Sequence, residues 1–413
     1  MSIFIFYFWV VSNLFTPNIN NFEQNEPEVI FLSTQKTQAE QISQKKIKEQ
    51  QKQQELEKLA KYYEAQKLLK DKQDHEKKHL PMPKMVKGIY MTSDSFVRKE
   101  SRNRLIKLIE ETELNTVVID IRDRHGKMIF KPLEQKIADT PLSSIAKERT
   151  EIIKFLEELQ SKNIYTIVRI VTLQDTYSAE KFPNLALKKK NGNIWYNHLG
   201  LAWLDMTNPN AWEIPLAYAN EAIDLGFDEI QFDYIRFPTD GYLSTIAYKN
   251  PPLAGEKWKT MTQVFKFLSE NITLKNIPIS ADIFGFAYHK SHKNNDLNIG
   301  QRVVDATKYF DALSGMVYAS HYSDGYMEFA NPAEFPGPIV TQAMESGKWL
   351  RAQTQKSKST DRPWLQDFSL GASYGPKRVR AQIDAVEKNG GSGWLLWNAR
   401  NVYTRGALKS SNK

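Results

Sequence analysis

From Met85 onward, short apolar, β-branched runs alternate with amphipathic runs of helical period, and no other feature constrains the fold as much. The apolar runs predict strands over 86–91, 116–121, 164–171, 229–232, 278–284, 312–318, 364–368 and 394–397. The amphipathic runs predict helices over 99–113, 151–160, 211–225, 257–271, 300–309 and 377–387; in the first, Leu105, Ile106, Leu108 and Ile109 form one apolar stripe. Eight strand–helix units between residues 84 and 406 predict an α/β fold of the (β/α)8 TIM barrel type. A doubly wound open sheet is the alternative, but it wants a glycine-rich phosphate turn after its first strand. Thr92-Ser93-Asp94-Ser95-Phe96 stands there instead.

The barrel leaves an N-terminal remainder. Residues 1–12 are almost wholly apolar, too short to span a bilayer as a helix, for which about 20 residues are needed. They suit the apolar region of an export signal or a membrane tether, so an exported protein is expected, with a cytoplasmic one as the alternative. Residues 13–83 read as a spacer. Its Gln/Lys/Glu-rich part carries 12 Lys against 6 Glu and 2 Asp between Gln35 and Leu80, half of the net charge of +8. These lysines are interleaved with Glu and Gln rather than blocked on one side, which argues against nucleic acid as a partner. The composition favours helix, but the apolar positions hold no heptad for three repeats, so a coiled coil is weakly supported. Pro81 and Pro83 end the spacer.

Several chemistries are excluded or demoted. The chain has no cysteine, hence no disulfide framework, thiolate metal site or catalytic thiol. No Gly-x-Ser-x-Gly elbow, Walker loop or dinucleotide fingerprint occurs. His75-Glu76-Lys77-Lys78-His79 matches the zinc pattern His-Glu-x-x-His, but it sits in the charged spacer with no apolar wall and no third ligand. His289 and His292 lie in a Lys/Asn-rich stretch with no acid between them. No metal and no cofactor is expected, and nothing sets the oligomeric state.

In a barrel, reactive side chains gather at the C-terminal strand ends. Strand four ends Phe232-Asp233-Tyr234-Ile235-Arg236-Phe237-Pro238. Alternation puts Ile230, Phe232 and Tyr234 on one face and Glu229, Gln231 and Asp233 on the other. An unpaired carboxylate on an interior strand costs several kcal/mol, so Asp233 is the first candidate catalytic residue. An Asp233–Arg236 ion pair that only fixes the loop is the bland alternative. Asp282, one strand along, is the candidate proton donor, with a structural carboxylate held by Arg169 or Ser280 as its alternative; Asp120, Asp123 and Asp367 are reserves. The other strand ends contribute Asp120, Arg122, Arg169, Arg236, Tyr318, His321, Trp364, Gln366, Asp367, Trp397 and Asn398 as candidate substrate-binding residues. The long insertion 172–209 adds Trp195, Trp203 and Asp205. Core packing is the competing role for the tryptophans, strongest for Trp394 and Trp397 and weakest for Trp195 and Trp203.

Two carboxyl groups ringed by aromatic side chains suit glycoside cleavage: one protonates the leaving oxygen while the other attacks the anomeric carbon or activates water. A carbohydrate substrate is therefore expected. The segments Lys87-Gly88-Ile89-Tyr90, Val117-Val118-Ile119-Asp120, Phe232 to Pro238, Ser280-Ala281-Asp282, Pro363-Trp364-Leu365-Gln366 and Leu396-Trp397-Asn398-Ala399 together resemble a bacterial family of glycosyl hydrolase domains. That family is similar to α-galactosidase and chitinase-like TIM barrels. The resemblance implies a carbohydrate-active barrel with its catalytic Asp at the end of strand four, which Asp233 matches. The chitinase-type strand four, Asp-x-x-Asp-x-Asp-x-Glu, here reads Asp228, Gln231, Asp233 and Ile235. Its Glu proton donor is missing, so the acid must come from another strand. A glycosidase acting on an envelope or extracellular polysaccharide is the leading expectation. A catalytically inactive carbohydrate-binding or envelope-scaffold barrel is the second, and a hydrolase of a non-sugar substrate the third.

Overall fold

The computed structural model describes residues 43–60, 62, 79–273, 276–290 and 295–411. The apolar run 1–12, residues 75–78 of the zinc-like pattern and His292 lie outside them. Two compact units divide the chain, Met1–Glu76 and Lys77–Lys413. In the first, residues 43–60 form a helix with every residue exposed, as a run so poor in apolar side chains requires.

The second unit is a closed parallel barrel. Its strands are β1 (Val86–Met91), β2 (Thr116–Asp120), β3 (Tyr165–Val171), β4 (Glu229–Asp233), β5 (Ile279–Phe284), β6 (Ala312–Val317), β7 (Trp364–Gln366) and β8 (Gly393–Trp397). They pair in chain order, and β8 on β1 and β7 on β6 close the ring. Thr360–Asp361 pairs separately with β6. Between the strands run helices α1 (Lys99–Glu110), α2 (Arg149–Ser161), α3 (Glu213–Leu225), α4 (Lys257–Thr273), α5 (Val303–Ala306), α6 (Pro336–Ala352) and α7 (Pro376–Lys388). The eight-stranded (β/α)8 architecture is the one the alternation predicts.

Two apolar layers follow from the strand period of two. Residues such as Ile89, Val117, Ile119, Ile230 and Phe232 point outward and pack with α1's Leu105, Ile106 and Ile109 and their counterparts in one large core. Val86, Tyr90, Val118, Tyr165, Ile167, Tyr318, Trp364 and Leu395 fill the barrel interior. Gly88 serves this inner layer, because a Cβ there would stand 2.6 Å from Leu395 Cδ2. The inward face of β4 is polar and fully enclosed. Glu229 binds Arg362 by two hydrogen bonds and accepts from Tyr165 Oη at 3.1 Å, and Gln231 donates to Ser314 Oγ at 3.1 Å.

The helices differ from the sequence expectation in two places. The run 300–309 yields only the single turn of α5, because Gly300 at φ +78° lies outside the helical region and Arg302 caps the turn from an extended backbone. The helix that the eight-unit pattern needs between strands six and seven is absent from the predicted runs; it is α6, whose prolines sit in the first turn, where amide hydrogens have no helical partner.

Candidate active site

Tyr234 shapes the mouth of the barrel. It follows β4 directly and sits at φ +51°, a left-handed region that ends the strand at Asp233. The turn also brings the Tyr234 amide back onto Asp233, whose Oδ1 accepts from it at 2.6 Å. Asp233 Oδ2 accepts from Arg169 Nη2 at 2.5 Å and Nε at 3.0 Å. Three N–H donors thus converge on one carboxylate. The Asp233–Arg236 pair is not formed. Arg236 donates instead to Phe237 O and Thr239 Oγ1.

Arg169 holds the site together. β2 and β3 set it opposite Asp120, to which it donates from Nη1 at 3.0 Å, and Asp120 in turn accepts from Tyr90 Oη. Its guanidinium lies 5.3 Å from the Trp397 ring centroid, and that indole stacks on Tyr90 at 4.2 Å. Burial alone would depress the Arg169 guanidinium, but Asp120 and Asp233 more than offset that and hold the cation.

Asp282 stands beside Asp233, because β4 and β5 pair Phe232 with Ala281 just before them. Its Oδ1 accepts from Trp364 Nε1 at 2.7 Å. Oδ2 accepts no hydrogen bond among the described residues and lies 3.7 Å from Arg169 Nε. Burial first, and then the negative charge of Asp233, push this carboxyl well above the ordinary carboxylate range, against the pull of Arg169 and the Trp364 N–H. One carboxyl surrounded by donors and one favoured in its protonated form face the same space. Burial first, and then the neighbouring Asp282 and Asp233, raise the Tyr318 hydroxyl, whereas burial lowers His321 and leaves its ring neutral.

That space is a cavity of about 440 Å³ lined by Arg169, Asp233, Arg236, Asp282, Tyr318, His321, Trp364 and Trp397, all singled out in the sequence. Tyr234, Phe284, Gly285, Phe286, Met316 and Tyr322 complete it. The alternation placed Tyr234 on the apolar face, and its left-handed turn is what moves it to the cavity. Phe284-Gly285-Phe286 directly follow Asp282's strand, a position that could have flagged them. At Gly285 a Cβ would meet Met316 O at 2.3 Å, so only glycine lets β5 approach β6 there.

The remaining candidates lie outside this lining, each for a local reason. Asp120 sits behind Arg169. Arg122 turns to the helix layer, where it pairs with Asp175 at 2.7 Å and covers the Tyr218 ring. Trp195 and Trp203, expected on the ligand, are fully buried: Trp195 packs under Gly241, and Trp203 forms a floor beneath Arg236 and Tyr234. Trp394 is core, as expected, whereas Trp397, expected beside it in the core, lines the cavity. Asp205 ties its own turn by accepting from Thr207 and Lys249. Gln366 joins Ser320 N to Phe368 O. Asp367 is occupied by Thr404, and Asn398 donates to Asp367 O and Val402 O. Asp123 builds a turn with His125, Lys127 and Ser143. Among the described residues no group of three His, Asp or Glu could hold a metal ion, and no helix is long and apolar enough to cross a membrane.

A family described as putative glycosyl hydrolase domain matches residues 88–403. No curated protein matches. A hypothetical protein from Ruminiclostridium thermocellum is 30% identical, over 47% of this chain and 96% of its own, with a TM-score of 0.42. The glycoside hydrolase domain of PgaB (BpsB) from Bordetella bronchiseptica is 10% identical, over 77% of this chain and 95% of its own, with a TM-score of 0.55; this likeness is one of fold. An α-galactosidase from Thermus thermophilus is 12% identical, over 78% of this chain and 60% of its own, with a TM-score of 0.47.

Proposed function

The chain belongs to this family of glycosyl hydrolase domains, and from that premise we propose that it cleaves a glycosidic bond in an envelope or extracellular polysaccharide. The observation that carries the reading is the pairing of Asp233 and Asp282 on adjacent strands, in one cavity, with N–H donors converging on Asp233 while burial favours the protonated form of Asp282. Asp282 gives its proton to the leaving oxygen as the anomeric C–O bond breaks. Asp233 attacks the anomeric carbon, forming a glycosyl ester that water hydrolyses while Asp282, now a carboxylate, takes the water's proton. Neighbouring strands lie about 4.8 Å apart, which favours this retaining course over an inverting one that needs a gap of about 6.5–9.5 Å. Tyr318 lines the same cavity, and the half-buried Trp397 offers a face for a sugar ring. The apolar run 1–12, read as an export signal or tether, supports a substrate outside the cytoplasm.

The burial of Asp282, at 1% exposure, favours a second reading: a barrel that binds carbohydrate without cleaving it. Digestion of peptidoglycan and a panel of bacterial polysaccharides, followed by released reducing ends, separates the two. Cleavage by the wild type that is lost in Asp233→Asn and Asp282→Asn supports the hydrolase. Equal behaviour of wild type and Asp233→Asn makes Asp233 structural and overturns it.

A further inference from the structure

Two guanidinium groups line the cavity, and they are placed very differently. Arg169 is consumed by Asp120 and Asp233. Arg236 forms no ion pair among the described residues. Among the described residues its donors reach only the Phe237 carbonyl and the Thr239 hydroxyl, both through Nη1, at 3.1 and 3.3 Å. Aromatic side chains fix where the fork sits: the guanidinium lies 5.5 Å from the Trp203 ring centroid and 5.1 Å from that of Tyr234. Burial depresses it from its ordinary value, and Asp233 and Asp240 offset that only in part. Nε and Nη2 make no hydrogen bond among the described residues and are not sealed from solvent, so they are open to a ligand. The planar fork of arginine matches a two-oxygen anion, which a neutral sugar hydroxyl does not offer.

We propose that Arg236 recognises an anionic substituent on the sugar, so that the substrate of this cavity is an acidic glycan. The chemistry is that of a uronic acid carboxylate, and a sulfate or phosphate ester shares it. The inference rests on the carbohydrate reading above for the sugar, and on the unpaired guanidinium for the charge. The partly exposed rings of the lining, Phe286, which packs on Tyr322 at 4.7 Å, and Trp397, take the sugar ring, while Arg236 selects what the ring carries.

Calorimetric titration of the full-length protein with glucuronic acid, glucose 6-sulfate, glucose 6-phosphate and glucose tests this. The expected result is that at least one anionic sugar binds about tenfold or more tighter than glucose, the range of a charge-assisted hydrogen bond. Its identity separates carboxylate from ester. Arg236→Gln should abolish the preference, so that the variant binds that sugar no tighter than it binds glucose, and Arg236→Lys, which keeps charge but not the fork, should fall between. A residue that merely supports the loop would weaken all four sugars alike. If Arg236→Gln does not fold, the wild-type preference together with Arg236→Lys decides. Equal binding of all four sugars, binding of none, or a preference that survives Arg236→Gln overturns the proposal. The digestion panel keeps the two readings apart. An anionic preference without cleavage of any polysaccharide sinks the hydrolase and leaves the recognition standing. Cleavage of neutral glycans without that preference does the reverse.

Discussion

Asp282 carries the most informative proton in the molecule. Its carboxyl is favoured in the neutral form by burial and by the Asp233 charge, so the acid it supplies persists above the ordinary Asp range and is lost as pH rises through its raised value. The activity profile should therefore fall on the alkaline side, and that limb should be absent from whatever residual rate Asp282→Asn retains, itself reduced by about 10²–10⁴-fold. The same proton is linked to stability. A carboxyl whose folded value is raised stabilises the fold fully below the ordinary Asp range and less as pH climbs through the folded value. Melting temperatures measured from mildly acidic to alkaline pH should decline more steeply for the wild type than for Asp282→Asn; parallel curves would show Asp282 to be ionised at neutral pH. Trp364→Phe removes the indole donor that favours the charged form, and should move the alkaline limb further up. That Asp233 and Asp282 share the cavity was legible because both stand on adjacent strands toward the end where a barrel gathers its reactive side chains. Tyr234 was not, because strand alternation assumes the strand continues, and a left-handed tyrosine gives no signal in composition.

At the scale of elements, the barrel is joined across its interior by charge as well as by apolar packing. Glu229 on β4 and Arg362, two residues before β7, are both fully enclosed and bonded to one another. Removing one partner leaves the other as a buried uncompensated charge, at a cost of about 3–5 kcal/mol. Arg362→Met should lose that much in urea unfolding, and the double variant with Glu229→Met should recover a large part of it, since replacing a buried pair by apolar side chains is often nearly neutral. Additive losses would mean that the two residues act separately. The eight strands were legible because their apolar runs are bounded by turns and enclosed on both faces. The insertion after β3 was misread, because a long aromatic loop suggests a ligand platform. Trp195 and Trp203 are instead the anchors that let 172–209 fold back on the loop after β4, where Lys188–Lys189 pairs with Ile246–Ala247.

Over the whole molecule, the two ends of the barrel do different work. Asp233, Asp282 and Arg236 collect at the C-terminal mouth. At the opposite end Asp228, the residue before β4, accepts from Thr166 N and Oγ1 at 2.8 and 2.7 Å and from Leu80 N at 2.7 Å. Leu80 packs against the interior cluster that holds Val86, Tyr165 and Leu395. Leu80-Pro81-Met82-Pro83 reads as linker because its prolines break the helical composition before it, and nothing in the sequence marks one leucine there as part of the barrel. Its removal should matter more than its place suggests. A chain beginning at residue 77 retains the compact unit and should melt with the barrel transition of the full-length protein. A chain beginning at residue 84 exposes interior apolar surface and takes one donor from a buried carboxylate, together about 2–4 kcal/mol. Calorimetry should place its transition several degrees lower, while sugar binding at the far mouth is unchanged. Equal melting of the two truncated chains would reduce Leu80 to a passive end of the spacer.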